Sequence, residues 1–336
     1  MKRQNRHRQA GFSLIELMIA LTINMVIVAA AAYLYLGTSE SKRNLSQQQQ
    51  LSENGQYALD LIGRDITNAG FFPSVREMTN GRAFKYQNDS ISKSQTAFNS
   101  GIFGCTGQSF SPTTFSCTAH SNAAITADTI VINYFTNDAM GRDMGQRVDC
   151  NRSDVQGATE NSGRTDAAST QSAATPSTRV PLKPLFVSNR YTLSTTTYSI
   201  EGQSISTQSL ACNGNVGTVY QPAIVGVESL QFLYGVYTDD SLQPQRFYAS
   251  SAVAALGGTT DPKLPQAPWD RVVAVEVCLV ARGLEASKST TSAGAVTPYV
   301  NCAGVSVTPA DRFIRKVYRK TFALRNNLTQ TILPAS

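Results

Sequence analysis

Between Phe12 and Leu36 lie 25 residues with a single charged side chain, Glu16, and directly ahead of them stands a basic leader, Lys2-Arg3-Gln4-Asn5-Arg6-His7-Arg8. As a helix the run extends about 37 Å, enough to cross the ~30 Å hydrocarbon core of a bilayer with some tilt. Cationic residues before a span are retained on the cytoplasmic side, which sends everything after Leu36 to the far side. Whatever else the chain folds into must therefore hang from a membrane helix.

Two plain readings compete for this segment. A secretory signal has a positive n-region and an apolar run, but this run is about twice the usual h-region and no small-x-small site closes it before Gly37. A simple anchor accounts for the length and leaves Glu16 unexplained. A carboxylate at that depth costs roughly 2.5–3.5 kcal/mol on insertion scales, so it is kept for a partner or a function.

The octet Ala10-Gly11-Phe12-Ser13-Leu14-Ile15-Glu16-Leu17 resembles the class III signal of type IV prepilins and pseudopilins. The resemblance implies cleavage between Gly11 and Phe12 by prepilin peptidase, N-methylation of Phe12, and pairing of Glu16 with a terminal amine during assembly. The chemistry agrees: cleavage creates a cationic amine at the helix start, and a side chain four residues on leans back toward it. Such a pair is favoured over two lone charges where the dielectric is low. Many major pilins carry a helix-breaking proline in this half, and there is none here between Phe12 and Leu36. Asn24 falls at mid-membrane, where its amide can bond a neighbouring helix or stay within its own.

Loss of residues 1–11 removes four cations and lowers the formal charge from +6 to about +2, which excludes bulk charge as an argument for nucleic-acid binding. The rest is long enough for one substantial core. From Thr38 to Asn68 there is no proline, and Leu51, Ala58, Leu59, Ile62 and Ile66 recur at helical spacing, so the helix is expected to run on over residues 37–70 and lay that stripe on a globular head. Lys42, Arg43, Glu53 and Arg64 fall off the stripe. Gly55, costing about 1 kcal/mol relative to alanine, marks a place for a local kink. Asn68-Ala69-Gly70 before Pro73 supplies the stop.

Beyond it, residues 71–336 read as short strands between Gly-, Ser-, Thr- and Asn-rich loops. Strands are predicted over 129–135, 227–237, 271–281 and 313–324, with a hairpin over 191–210 closed by the four-residue turn 201–204. Leu230, Phe232, Tyr234 and Val236 alternate onto one face, and the β-branched run 271–281 suits a central strand. Residues 151–178 are low in apolar side chains and read as a surface loop. Helix first, strands after, is an α+β arrangement with one antiparallel sheet.

Three phrases, 226–235, Pro268-Trp269-Asp270-Arg271-Val272-Val273-Ala274-Val275 and Lys320-Thr321-Phe322-Ala323-Leu324-Arg325-Asn326, resemble the PilW family of minor pilins. The resemblance implies a type IV pilin-like fold, an inner-membrane protein of a Gram-negative cell with a periplasmic head, and later a place in the pilus at the cell surface. Its implied partners are other minor and major pilins, prepilin peptidase and the inner-membrane assembly platform. A minor pseudopilin of a type II secretion system shares every N-terminal feature, and an anchored adhesin is the alternative of another class.

Cys105, Cys117, Cys150, Cys212, Cys278 and Cys302 all follow the membrane segment, and an even count in an exported head favours disulfides. Of fifteen connectivities the sequential one, 105–117, 150–212 and 278–302, closes two short loops and staples the low-complexity stretch. A metal site is the rival, with no C-x-x-C and only His120 left after processing. No Walker A, H-E-x-x-H, G-x-S-x-G or dinucleotide glycine pattern occurs, so neither an enzyme nor a cofactor is indicated. Asp239 and Asp240 offer oxygens for calcium but lack the rest of a ligand loop, and a solvated turn is the plainer reading. Arg312, Arg315, Lys316, Arg319, Lys320 and Arg325 line the last strand and raise a weak DNA-contact reading, with edge protection as its rival.

Overall fold

The computed structural model describes residues 13–71, 101–112, 114–136, 149–151, 185–200, 202–214, 219–239, 241–261, 264–265, 267–286 and 298–326. Helix α1, Leu14–Asn68, is one element of 55 residues, about 82 Å long. Its first half, Leu14–Ser39, is long and apolar enough to cross a membrane and has none of its residues buried. Its second half lays Leu51, Ala58, Leu59, Ile62 and Ile66 into the core. Ala69 N–H closes on Ile66 O at 3.1 Å, and Gly70, at φ 68°, turns the chain away.

Two antiparallel sheets form the head, where the sequence led us to expect one. The first contains β1 (Ile102–Cys105), β4 (Thr129–Thr136), β5 (Leu185–Ile200), β6 (Gln203–Asn213) and β7 (Gln221–Val225), in the spatial order β1-β4-β5-β6-β7. A small hairpin, β2 (Ser109–Ser111) and β3 (Ser116–Thr118), stands between β1 and β4 in the chain. The second sheet has the order β13-β10-β8-β9, from Phe313–Ala323, Val272–Ala286, Val227–Val236 and Arg246–Tyr248. Helix α2 (Ser250–Ala255) and a 3-10 turn at Pro268–Arg271 follow β9, and the β11–β12 hairpin (Tyr299–Val300, Ser306–Val307) precedes β13.

The division into two sheets is made at Gly226. Its N–H donates to Gln208 O of the first sheet at 3.0 Å and its carbonyl accepts from Arg282 N of the second at 2.7 Å. At φ 85° with the Arg282 carbonyl against its Cα, only glycine fits the crossing. The sequence reading places a strand over 227–237 and none over Gln221–Val225, and this backbone crossing leaves no periodic signature. Asp128 ties the sheets again, accepting from Gly107 N at 2.8 Å and Phe232 N at 2.9 Å.

Strand β8 buries Leu230, Phe232, Tyr234 and Val236 on one face, and β10 is central, hydrogen-bonded to β8 and β13. Both faces of β10 are covered from Val272 to Ala281, which is why its sequence is apolar without alternation. The hairpin of β5 and β6 pairs Ile200 with Gln203, so its loop has the two residues Glu201-Gly202 instead of the four in 201–204. Ser204 continues the β ladder opposite Ser199, since its side chain suits strand as well as turn.

Candidate functional site

The exposed half of α1 is the part of the molecule with the most unmet apolar surface. At its start the Ser13 amide donates to Glu16 Oε2 at 3.2 Å, in an S-x-x-E sequence where a carboxylate also suits the positive end of the helix. Gly11 and Phe12 lie outside the described residues. The Glu16 carboxylate thus accepts from the first described amide of the chain.

The head holds the other half of α1 through β10 and β13, the latter running in the same direction as the helix. Tyr318 lies over Gly55 and Phe322 over Gly63, each ring filling the space where a Cβ would stand. Tyr318 Oη also donates to Leu51 O at 3.1 Å. Gly55 is therefore a seat for an aromatic ring within an unbroken helical run. Asn326 Nδ2 donates to Ala69 O at 2.9 Å, and Gln47 Nε2 to Glu285 at 3.1 Å, fixing the two ends of the contact.

A buried carboxylate links α1 to the first sheet. Asp65 is 3% exposed and accepts from Tyr191 Oη at 2.6 Å, Asn189 Nδ2 at 2.7 Å and Tyr134 Oη at 3.3 Å. Burial pushes its pKa up, against the opposing pull of those hydrogen bonds, and burial raises Tyr191 and Tyr134 as well. Asn189 Oδ1 in turn accepts from Cys150 N at 3.1 Å. Sequence reasoning passed over Asp65, although its place beside Ile62 and Ile66 on the apolar stripe was the available signal.

Three of the four cations of β13 are met by acids. Arg315 reaches Glu228 and Asp311, both at 2.6 Å, and Arg282 shares Glu228 at 3.2 Å. The Asp311 hydrogen bond raises the Arg315 pKa, and Arg315 holds Asp311 below the usual carboxylate range. Arg319 lies 3.4 Å from Glu276 and donates to Cys302 O at 2.8 Å, while Lys320 meets Asp60 of α1 at 3.0 Å. Lys316 Nζ lies 5.3 Å from the Tyr318 ring centre, and Arg312 and Arg325 are exposed.

The cysteines meet as Cys105–Cys117, Cys150–Cys212 and Cys278–Cys302, with Cα separations of 5.5, 6.2 and 5.8 Å. They fasten the β2–β3 hairpin to β1, the chain near residue 150 to β6, and the β11–β12 region to β10. His120 has a ring nitrogen 2.8 Å from Ala127 O. Asp239 accepts from Ser241 N at 2.9 Å and closes a turn, and this bonding to Ser241 lowers its pKa; Asp240 lies outside the described residues, as does most of the 151–178 stretch. Among the described residues no group of three or more His, Cys, Asp or Glu is placed to hold a metal.

A membrane-length helix with its start capped by Glu16, continuous into a β head, is the architecture of a type IV pilin. Residues 6–32 match the prokaryotic N-terminal methylation motif, and residues 190–326 match the family described as Type IV Pilus-assembly protein W. These matches support a PilW-like type IV minor pilin, a structural and pilus-related class. A type IV-like pilin from Thermus thermophilus overlays 82% of this chain and 97% of its own, with 10% identity and a TM-score of 0.32. A search of curated proteins returned no match.

Proposed function

We propose that this protein is a minor pilin that joins other minor pilins in a membrane-held priming complex, starts filament polymerisation, and ends near the filament tip. The observation that carries this reading is the single continuous α1. Its Leu14–Ser39 half is bare while its later half is locked to the head, so a partner gripping the bare half positions the head rigidly. In this reading prepilin peptidase cuts after Gly11, the new Phe12 amine is methylated, and Glu16 supplies recruitment and register. The apolar helix supplies lateral packing, first in the inner membrane with the head in the periplasm and then in the filament. The head supplies partner specificity and thereby supports pilus-dependent motility, adhesion or DNA uptake.

The test is substitution at the two N-terminal positions in the native host. Glu16→Ala, and separately a bulky replacement of Gly11, should lower surface piliation while the protein is still made and inserted. Normal piliation in either strain refutes the proposal, and loss of secreted enzymes with intact pili reassigns the chain to a secretion pseudopilus.

A further inference from the structure

Between Glu16 and Tyr33 the bare half of α1 has two polar side chains, Thr22 and Asn24. They are handled differently. Thr22 Oγ1 returns to its own helix, donating to Ile19 O at 2.8 Å, and Thr38 does the same to Leu34 O at 2.9 Å. The Asn24 amide is exposed and bonds no described group. An amide has two donors and two acceptor lone pairs, and hydrocarbon satisfies none of them.

Asn24 is near the middle of the span, about 12 Å deeper than Glu16 and about 80° round the helix axis from it. Ala20 and Ala31 project between those two directions, with Ile27 beside them, and the two small side chains let another backbone approach above and below it. Met18, Met25 and Leu36 project from the opposite side, where no polar group needs a partner.

On the pilus reading above, we propose that Asn24 is the second polar contact of α1 and that its occupant is the membrane helix of another pilin-class chain. That helix lies parallel, because it is inserted by the same kind of basic leader, and offers an amide or hydroxyl at the depth of Asn24. Glu16 acts at the membrane edge and Asn24 at its centre. Two polar contacts two turns apart define both rotation and depth, which one contact alone cannot do.

The full-length protein in its native membrane tests this. A photo-crosslinking residue is placed at Ala20 or Ala31, and in parallel at Met18 or Met25, and adducts are identified by peptide sequence. The expected result is adducts with another chain bearing a prepilin motif from the Ala20 and Ala31 positions, several-fold weaker from the methionine positions. Asn24→Leu should lower both the adduct yield and co-purification about three- to thirty-fold, with Asn24→Gln or Asn24→Ser recovering part of it. Equal adducts from both sides, adducts only with a second copy of this chain, or full association of the Asn24→Leu protein overturns the inference. If Glu16→Ala abolishes piliation while Asn24→Leu changes nothing, this inference alone fails. Intact piliation in Glu16→Ala removes the pilus reading itself.

Discussion

Replacing a helix-interior glycine by alanine ordinarily stabilises a protein, and at Gly55 it should do the opposite. Helix propensity alone favours alanine by about 1 kcal/mol. Against this stands the Tyr318 ring, whose Cε2, Cδ2 and Cζ occupy the space that a Cβ on Gly55 would need. The ring cannot swing aside cheaply, because it is 7% exposed and its hydroxyl is bonded to Leu51 O. Forcing a methyl into such packing costs about 1–3 kcal/mol. Net of propensity, Gly55→Ala should destabilise by up to about 2 kcal/mol.

A double-mutant cycle separates the two effects. Tyr318→Ala removes a buried ring and should cost about 3–5 kcal/mol. In that background the clash is gone and Gly55→Ala should become neutral or stabilising by up to about 1 kcal/mol. Urea denaturation of the detergent-solubilised chain, followed by tyrosine fluorescence and far-UV circular dichroism, measures each corner. The reasoning is wrong if Gly55→Ala raises the midpoint in the wild-type background, or if its effect is the same with and without Tyr318.

Two further predictions concern the head. Asp65→Ala leaves the buried Tyr191 hydroxyl and Asn189 amide without their acceptor and should cost about 2–4 kcal/mol by thermal denaturation. Because burial raises the pKa of Asp65 in the folded state, its stabilising contribution is complete below the ordinary value of 3.8 and is lost as pH rises through the folded value. The midpoint of the wild type should therefore gain on that of Asp65→Asn as the buffer goes from pH 7 toward 4, and a gap that is constant or shrinks refutes the assignment. Opening the Cys150–Cys212 bridge, which spans 62 residues of sequence, should cost about 4 kcal/mol on a loop-entropy basis. The bridges spanning 12 and 24 residues should cost about 3 kcal/mol each, an order that serine substitution of each pair reads directly.

The long helix, its stop at Asn68-Ala69-Gly70, the central place of β10 and the buried face of β8 were legible because each depends on periodicity or local backbone chemistry. The 3.6 spacing of Leu51, Ala58, Leu59, Ile62 and Ile66 declares a buried stripe without any knowledge of what covers it. The division of the strands into two sheets was not legible, since it hinges on one glycine whose two hydrogen bonds reach residues 18 positions before and 56 positions after it. Asp65 was missed for a related reason. Its three partners come from β4 and β5, which the chain reaches more than sixty residues later. The packing at Gly55 was not legible because propensity scales price glycine by the backbone alone, while its use here lies in what packs on top of it.

The basic last strand shows how a stripe in sequence differs from a patch in space. Alternation in β13 sends Arg315 and Arg319 to one face of the sheet and Lys316 and Lys320 to the other, so these cations cannot act together on one phosphate backbone. Each face then meets acids far away in sequence. Glu228 on β8 and Glu276 on β10 take the arginines, and Asp60 on α1 takes Lys320. The Lys320–Asp60 pair is about half exposed on the lysine side and more so on the aspartate, so it adds little stability by itself. Arg315, with a side chain only 7% exposed between two carboxylates, is a structural cation whose removal would take the ion-pair partner from Asp311 and leave Glu228 to Arg282 alone. Most of this charge thus joins strands to one another and to α1. A pilin packing against this side of the head would meet local ion pairs and hydrogen-bonding groups in place of a positive stripe.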